Sequence, residues 1–176
     1  CGPAREIQDI LITAADCDSY HFVLLDQDRS ALYEAAKMID SIEKKLDSKV
    51  TADFVNESVR TMLAPSNSNQ KMGQFDFIYS MGLFDYLLPP VASRVLAKLY
   101  EQLKPGGKMV IGNFHVSNPS KHYMEYWLDW VLYYRTEEEF VNLLRNVAPS
   151  EVDVTLDESG VQMFLQVTKN GTTGAV

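Results

Sequence analysis

Residues 103–114 read LKPGGKMVIGNF, a proline and two glycines followed by a mainly apolar run. Proline and paired glycines form turns, and a short apolar run after a turn indicates a buried strand. A helix is indicated before the turn, because Pro89-Pro90 is a typical helix start and apolar residues then recur at helical spacing. These residues are Val91, Val95, Leu96, Leu99 and Leu103. The stretch therefore predicts a helix that LKPGG ends, then a turn and a strand.

The same alternation extends toward the N-terminus. Apolar spacing predicts a helix over residues 4–15, and HFVLLDQD predicts a buried strand with a polar tip over 21–28. A second helix is predicted over 30–46, then a strand in KVTADFVNES and another over 75–80. The polar residues 65–74, PSNSNQKMGQ, are predicted to form a loop between those two strands.

The C-terminal third begins with an unusually aromatic segment. Residues 115–135 are expected to be partly helical, and Thr136 with Glu139 has the spacing of a capping box that begins a new helix. EVDVTLDESGVQMFLQVTK predicts two strands around the turn at residues 158–160, the one antiparallel pair that we expect. Residues 170–176 are expected to be frayed.

Alternating strands and helices predict an α/β fold with a doubly wound, mostly parallel sheet and an antiparallel C-terminal hairpin. We expect a single domain over 1–176, with a substrate-side aromatic insertion at 115–140. Ligands of such sheets bind beyond the carboxyl ends of the strands. The polar tips predicted at those ends are Gly2, Asp26, Asn56 with Glu57, Ser80 with Met81, and Asn113 to His115.

Composition narrows the class of protein. The 176 residues are 46% hydrophobic and carry a net charge of −8, which argues against binding to nucleic acid. No stretch has the length of a membrane span, and no signal-peptide pattern is visible. The two cysteines, Cys1 and Cys17, are too few for a disulfide framework, so we expect a cytoplasmic protein.

Five stretches, in order, resemble the class I, Rossmann-like S-adenosylmethionine-dependent methyltransferases. They are CGPAREI, LLDQD, FVNES, FDFIYSMGLFDYL and LKPGGKMVIGNF, and LKPGG is the most specific. In that family a strand precedes the glycine turn, so we expect the first strand to be missing from this chain and to exist upstream of Cys1. The segment NPSKHYMEYWLDWVLYYRTEEE more narrowly resembles the bacterial methyltransferases of 3-hydroxypalmitate methyl ester synthesis.

The resemblance implies S-adenosylmethionine as cofactor and a small-molecule methyl acceptor, such as a fatty-acid carboxylate; a homodimer stays open. It assigns Cys1, Gly2 and Pro3 to the methionine part, Asp26 with Gln27 to the ribose, and further residues to the adenine and the sulfonium. These further residues are Asn56, Glu57 and Ser58 for the adenine, and Tyr79, Ser80 and Met81 for the sulfonium.

The acceptor side is predicted after the fifth strand. A histidine there could act as general base, and a carboxylate acceptor would need only an orienting donor. The catalytic candidates are His115, His122 and Tyr123, with Asn118 and Trp127 as substrate contacts. Most aromatic residues of this segment are expected to be core or interface residues. For Asp26 the alternative to a ribose contact is a solvated strand end or helix cap.

Single features of the sequence also suggest other classes of protein. Tyr100 and Lys104 have the Tyr-x-x-x-Lys spacing of a dinucleotide-dependent oxidoreductase, but no complete G-x-G-x-x-G accompanies them. A catalytically inactive scaffold that binds a partner through the aromatic segment remains open. A Cys1 nucleophile lacks a nearby base, and the three histidines form no metal-ligand spacing.

Overall fold

The computed structural model describes residues 1–64 and 73–171. By its internal contacts the chain divides into two compact units, Cys1–Ser68 and Asn69–Val176. Each unit is described by itself.

The first unit is built on a pair of parallel strands. β1 (His21–Asp26) and β2 (Thr51–Asn56) pair along their whole length, and Asp26 lies opposite Asn56 at their carboxyl ends. The long helix α3 (Arg29–Leu46) connects them. The core of this unit consists of buried apolar residues from the N-terminal segment, β1 and α3. They are Ala4, Ile7, Leu11, Cys17, Leu24, Leu32, Ala35, Ile39 and Ile42.

The single helix predicted over residues 4–15 is wrong. The structure has two short helices there, α1 (Ile7–Ile10) and α2 (Ala14–Ser19). Leu11 leaves the helical region, and Thr13 then begins α2 with a capping box in which Asp16 accepts from the Thr13 N–H at 2.7 Å. The apolar spacing continues across this break, so periodicity alone did not reveal it.

Caps define the other helices of this unit. Asp28 caps α3 by accepting from the N–H of Ser30 at 2.8 Å, and the helix ends at Asp47, whose φ of 48° is left-handed. A short helix that the sequence did not predict, α4 (Val59–Met62), follows β2 and is capped by Ser58. The predicted helix over residues 30–46 and the strand in KVTADFVNES are confirmed.

The second unit contains a four-stranded sheet in the order β3-β4-β6-β5. β3 (Phe75–Ser80) is parallel to β4 (Leu103–Phe114), and α5 (Pro89–Glu101) connects them. β6 (Gln162–Thr168) is antiparallel both to β4 and to β5 (Glu151–Leu156). The predicted β5–β6 hairpin is thus confirmed. The prediction of a single antiparallel pair is wrong, because β6 also pairs antiparallel with β4.

The LKPGG stretch lies at the start of β4, and α5 ends just before it at Glu101. Gly106 has a φ of 77°, a conformation that favours glycine. At Gly107 a Cβ would lie 2.9 Å from the Lys104 carbonyl oxygen and 3.0 Å from that of Phe75. The second glycine is therefore required by close backbone packing and the first by its dihedral angle.

Two more helices follow β4. α6 (Lys121–Leu128) covers part of the aromatic segment, and α7 (Glu137–Val141) begins at the Thr136–Glu139 capping box as predicted. A 3₁₀ helix, Asn142–Asn146, continues from α7. Another 3₁₀ turn, Phe84–Tyr86, lies between β3 and α5.

Two predictions fall on residues outside the described ranges: most of the 65–74 loop, and the frayed C-terminus from residue 172. Within residues 1–64 and 73–171, no helix combines the length and the apolar character that crossing a bilayer requires.

Candidate functional site

Asp26, at the carboxyl end of β1, is the centre of a hydrogen-bonded cluster in the first unit. Its Oδ2 accepts from the nitrogen of Cys1 at 2.9 Å and from the N–H of Gly2 at 2.8 Å. Its Oδ1 accepts from the N–H of Asp28 at 2.9 Å. Gly2 has a φ of 57°, which lets the N-terminal turn approach this carboxylate.

These donors favour the ionised form of Asp26. Burial raises the pKa of Asp26, but the hydrogen bonds from Asp28, Cys1 and Gly2 outweigh burial and hold the pKa below its ordinary value. The carboxylate is therefore charged at neutral pH, and its side chain keeps 20% of its surface exposed.

Asn56 fixes the loop that follows Asp26. Its Nδ2 donates to the carbonyl oxygens of Asp26 and Gln27 at 3.0 and 2.9 Å, and its Oδ1 accepts from Nε of Arg29 at 3.0 Å. The tips of β1 and β2 are thus joined by side chain as well as by pairing. Pro3, also predicted to contact a cofactor, is exposed within the same N-terminal turn.

Glu57 is the residue of this cluster whose bonding is incomplete. Its N–H donates to the Asp26 carbonyl at 3.2 Å. Its Oε2 is buried without a hydrogen-bond partner among the described residues. A buried carboxylate oxygen normally has a donor, so this atom indicates a missing partner. Ser58 has a local role, since its Oγ accepts from the N–H of Thr61 and caps α4.

In the second unit, the end of β3 carries Tyr79, Ser80 and Met81. The Tyr79 ring stacks on that of Phe77 with centroids 6.0 Å apart, and Met81 is 49% exposed. The Met81 side chain lies over Gly112, where an added Cβ would come within 2.7 Å of its sulfur. A glycine in β4 thereby leaves room for Met81.

A buried polar network that the sequence did not reveal lies beyond the same strand ends. Arg135 is 3% exposed and donates to the carbonyl oxygen of Phe84 at 2.8 Å and to that of Leu87. It also donates to Oδ1 of Asn113, whose Nδ2 donates to the Tyr133 carbonyl at 3.0 Å. Arg135 therefore ties the loop after β3 to the end of β4.

Asp85 completes this network. It is 2% exposed and accepts from the N–H of Phe114 at 2.7 Å. Burial raises the pKa of Asp85, although the Phe114 hydrogen bond and the charge of Arg135 oppose the rise. Burial likewise lowers the pKa of Arg135, against the attraction of Asp85 and Glu139.

His115 forms hydrogen bonds through both ring nitrogens. Nδ1 lies 2.6 Å from Oγ of Ser117, and Nε2 lies 3.2 Å from a carboxylate oxygen of Glu137. Ser117 Oγ in turn donates to the Gly160 carbonyl at 3.1 Å. Ser117, His115 and Glu137 thus form a hydrogen-bonded chain. The hydroxyl of Ser117 donates its proton to a backbone carbonyl, however, and this does not suit a nucleophile.

The other acceptor-side candidates lie in and before α6. Asn118 is buried, its Oδ1 accepting from the N–H of Ser120 at 2.9 Å. Tyr123 is 59% exposed and Trp127 79% exposed. The His122 ring lies near that of Tyr126, with centroids 6.5 Å apart. The structure therefore shows an accessible aromatic helix with one histidine on it.

The residues that suggested an oxidoreductase have other partners. The Tyr100 hydroxyl donates to the Ala148 carbonyl at 2.9 Å, and the Lys104 ammonium donates to Asp76 at 2.7 Å. Among the described residues, no group of three or more histidine, cysteine, aspartate or glutamate side chains could hold a metal ion.

Comparison with known sequences assigns the family. A family described as methyltransferase domain matches residues 9–111, more than half of the chain. The chain belongs to the methyltransferase domain family. The matched range contains β1 to β3, α5 and most of β4. No curated protein sequence matches the chain.

Solved structures show the same fold. An S-adenosylmethionine-dependent methyltransferase from Methanosarcina mazei is 17% identical with a TM-score of 0.67, over 97% of this chain and 89% of that one. The S-adenosylmethionine-dependent methyltransferase SibL, in its apo form, is 17% identical with a TM-score of 0.66, over 96% and 48%. Magnesium protoporphyrin IX methyltransferase (ChlM) from Synechocystis PCC 6803, with bound SAH, is 10% identical with a TM-score of 0.61, over 89% and 68%.

These findings confirm the predicted fold class and a methyltransferase domain. The chain spans about half of the length of SibL, 48%.

The first unit's cluster fits the cofactor chemically. A carboxylate has about four acceptor positions, and the donors from Cys1, Gly2 and Asp28 fill three at Asp26. One position remains for a hydroxyl donor such as a ribose hydroxyl. The unpartnered Oε2 of Glu57 would accept from an amino group such as that of adenine.

Proposed function

We propose that this methyltransferase domain methylates a small molecule on oxygen, with a fatty-acid carboxylate of the 3-hydroxypalmitate type as acceptor. The observation that supports cofactor-dependent transfer most strongly is the Asp26–Asn56–Glu57 cluster at the ends of two parallel strands, with one carboxylate position open and one carboxylate oxygen unpartnered. The acceptor is suggested by the resemblance of residues 118–139 to that bacterial type.

The roles proposed for the cofactor-side residues follow the resemblance. Asp26, supported by Gln27, accepts from a ribose hydroxyl, and Asn56, Glu57 and Ser58 lie at the adenine. The backbone of the turn Cys1–Gly2–Pro3 faces the methionine part, and Tyr79, Ser80 and Met81 face the sulfonium.

When bound, S-adenosylmethionine supplies a methyl group on a sulfonium that is itself a good leaving group. The protein then has to hold the acceptor oxygen in line with that methyl group and to exclude water. A carboxylate acceptor needs no base at neutral pH, so a proton donor that orients it is sufficient.

We assign this orienting role to His122 and Tyr123, with Trp127 as an apolar contact, because the structure leaves these side chains accessible. His115, also proposed as catalytic, would have to release Ser117 or Glu137 before it could serve an acceptor. Asn118 contributes by holding the start of α6 in place.

Two further proposals concern the chain as a whole. The match over residues 9–111 includes parts of both units, which supports a single methyltransferase domain. We keep residues 115–140, which follow the matched range, as its proposed acceptor-side insertion. Absence of a membrane-spanning helix from the described residues is compatible with the proposed cytoplasmic location. A homodimer stays open and sedimentation velocity would detect it.

The second candidate is an inactive methyltransferase-like scaffold. Exposed aromatic side chains on α6 favour it, because such side chains are enriched at protein interfaces. Cofactor binding alone does not separate the two candidates, since a scaffold could retain it.

An assay of methyl transfer distinguishes the active methyltransferase from the inactive scaffold. The intact protein is incubated with S-adenosylmethionine and 3-hydroxy fatty acids, and methyl esters are detected by mass spectrometry. We expect ester formation that His122→Ala or Tyr123→Phe reduces, whereas His21→Ala, at an exposed histidine of β1, leaves it unchanged. Cofactor binding without any methyl ester would favour the scaffold.

A further inference from the structure

A cavity of about 350 Å³ lies within the second unit, between the start of α5, the segment Tyr133–Arg135 and the helical stretch from α7 to residue 146. Its volume is at the lower end of the range typical of small-molecule sites. Its lining includes residues of the segment 115–140, the proposed acceptor-side insertion, but none of the lining residues has a role in the methyl transfer proposed above.

Charged residues of both signs line this cavity in a chain whose net charge is −8. They are Arg135, Arg145 and Glu139. Glu139 has one oxygen engaged, because its Oε2 accepts from the N–H of Thr136 at 3.0 Å. The charge of Arg135 is opposed by the buried Asp85 as well as by Glu139, so Arg145 is the lining residue whose positive charge matters for an anion.

The two arginines have different bonding. Arg135 is buried and fixed by carbonyl oxygens of Phe84 and Leu87, so it forms a rigid part of the wall. Arg145 is exposed, and its guanidinium has no hydrogen bond or ion pair in residues 73–171. A free guanidinium at a cavity can bind a carboxylate or phosphate through two parallel hydrogen bonds.

The rest of the lining suits an organic ligand. Tyr133 and Tyr134 are among the lining residues, and tyrosine rings can pack against planar apolar groups. Asn142 lines the same cavity, and its residue type carries an amide that can donate to an anion.

We propose that this cavity binds the anionic group of a small organic molecule, with Arg145 as the principal ligand of the anion and the tyrosine rings against its apolar body. None of its lining residues belongs to the cofactor cluster around Asp26. A carboxylate and a phosphate would be recognised by the same chemistry.

The test uses benzoate, its neutral analogue benzamide, and inorganic phosphate, each titrated calorimetrically into the intact protein at constant ionic strength. We expect saturable binding of benzoate and none of benzamide. Arg145→Gln should weaken benzoate binding about tenfold, the loss of one charge-assisted hydrogen bond. Arg94→Gln, at an exposed arginine outside the cavity lining, should leave it unchanged.

If phosphate competes with benzoate, the anionic group can be a phosphate. If phosphate does not compete, the site is specific for a carboxylate. Equal binding of benzamide, no saturable benzoate binding, or unchanged affinity in Arg145→Gln would overturn the proposal. S-adenosylmethionine affinity is measured on the same Arg145→Gln protein, and we expect it to be unaltered. A failure of the anion site is thus distinguishable from a failure of the proposed methyl transfer.

Discussion

Asp26 combines a structural and a binding role in one carboxylate. It orders the N-terminal turn through Cys1 and Gly2 and keeps one acceptor position open. Its lowered pKa keeps it charged, which strengthens each hydrogen bond that it accepts. The residue therefore links the stability of the turn to cofactor binding.

Replacement Asp26→Asn should weaken S-adenosylmethionine binding by roughly 10- to 150-fold, because a charge-assisted hydrogen bond contributes roughly 1.5–3 kcal/mol. Isothermal titration calorimetry measures the change. The control is Asp53→Asn, which removes an exposed β2 carboxylate paired with His21 and should not alter affinity. Equal affinities for the Asp26→Asn and wild-type proteins would remove Asp26 from the site.

The pH dependence of stability provides a second test at Asp26. Because the folded-state pKa lies below the unfolded value of about 3.9, the ionised carboxylate stabilises the fold above that pH. This contribution is lost as the pH falls through the folded-state pKa. The difference in unfolding free energy between wild type and Asp26→Asn should therefore shrink between about pH 5 and pH 2. A constant difference would contradict the assignment.

Glu57 was predicted as an adenine-side residue, and its unpartnered oxygen gives that prediction a physical basis. The structural role of Arg135 could not be predicted, because its acceptors are spread from Phe84 to Tyr133 and no local spacing joins them. The positions of Asp26 and Asn56 at the ends of β1 and β2 could be predicted, because each is the polar residue that ends a predicted strand.

At the scale of elements, Arg135 supports the loop after β3. Arg135→Ala would leave the carbonyl oxygens of Phe84 and Leu87 and the Asn113 side chain without this donor. We expect a loss of about 3 kcal/mol or more in unfolding free energy, measured by urea denaturation. Arg145→Ala, without such partners, should cost less than about 0.5 kcal/mol. Similar stabilities for the two variants would contradict this role.

Two of the three glycines of β4, Gly107 and Gly112, predict contrasting effects. Gly107→Ala should cost about 2 kcal/mol, because the new Cβ meets backbone carbonyl oxygens that cannot move independently. Gly112→Ala should cost less, since its nearest atoms are the ends of the Met81 and Gln162 side chains. Comparing the two melting curves tests the difference, and a larger loss for Gly112→Ala would contradict it.

The prediction of helices and strands succeeded where turn or capping residues and apolar periodicity indicated the same boundary. Pro89-Pro90, the Thr136–Glu139 capping box and the turn at 158–160 each mark an observed boundary. It failed over residues 4–15, where a continuous apolar spacing concealed the Thr13–Asp16 cap. The pairing of β6 with β4 is a long-range contact, which no local pattern specifies.

At the scale of the molecule, the family match and the similar structures both indicate a methyltransferase domain. Neither of them identifies the methyl acceptor. Similar folds in this family accommodate different acceptors, and the fold similarity rests on 10–17% identity to the structures described above. We propose that acceptor choice depends on side chains such as those of α6, whose exposure the sequence did not specify.

Calorimetric titration of the intact protein with S-adenosylmethionine and, separately, with NAD tests the central claim most directly. The account predicts saturable binding of S-adenosylmethionine, weakened by Asp26→Asn, and no binding of NAD. Binding of NAD alone, or of neither ligand by a folded protein, would contradict it.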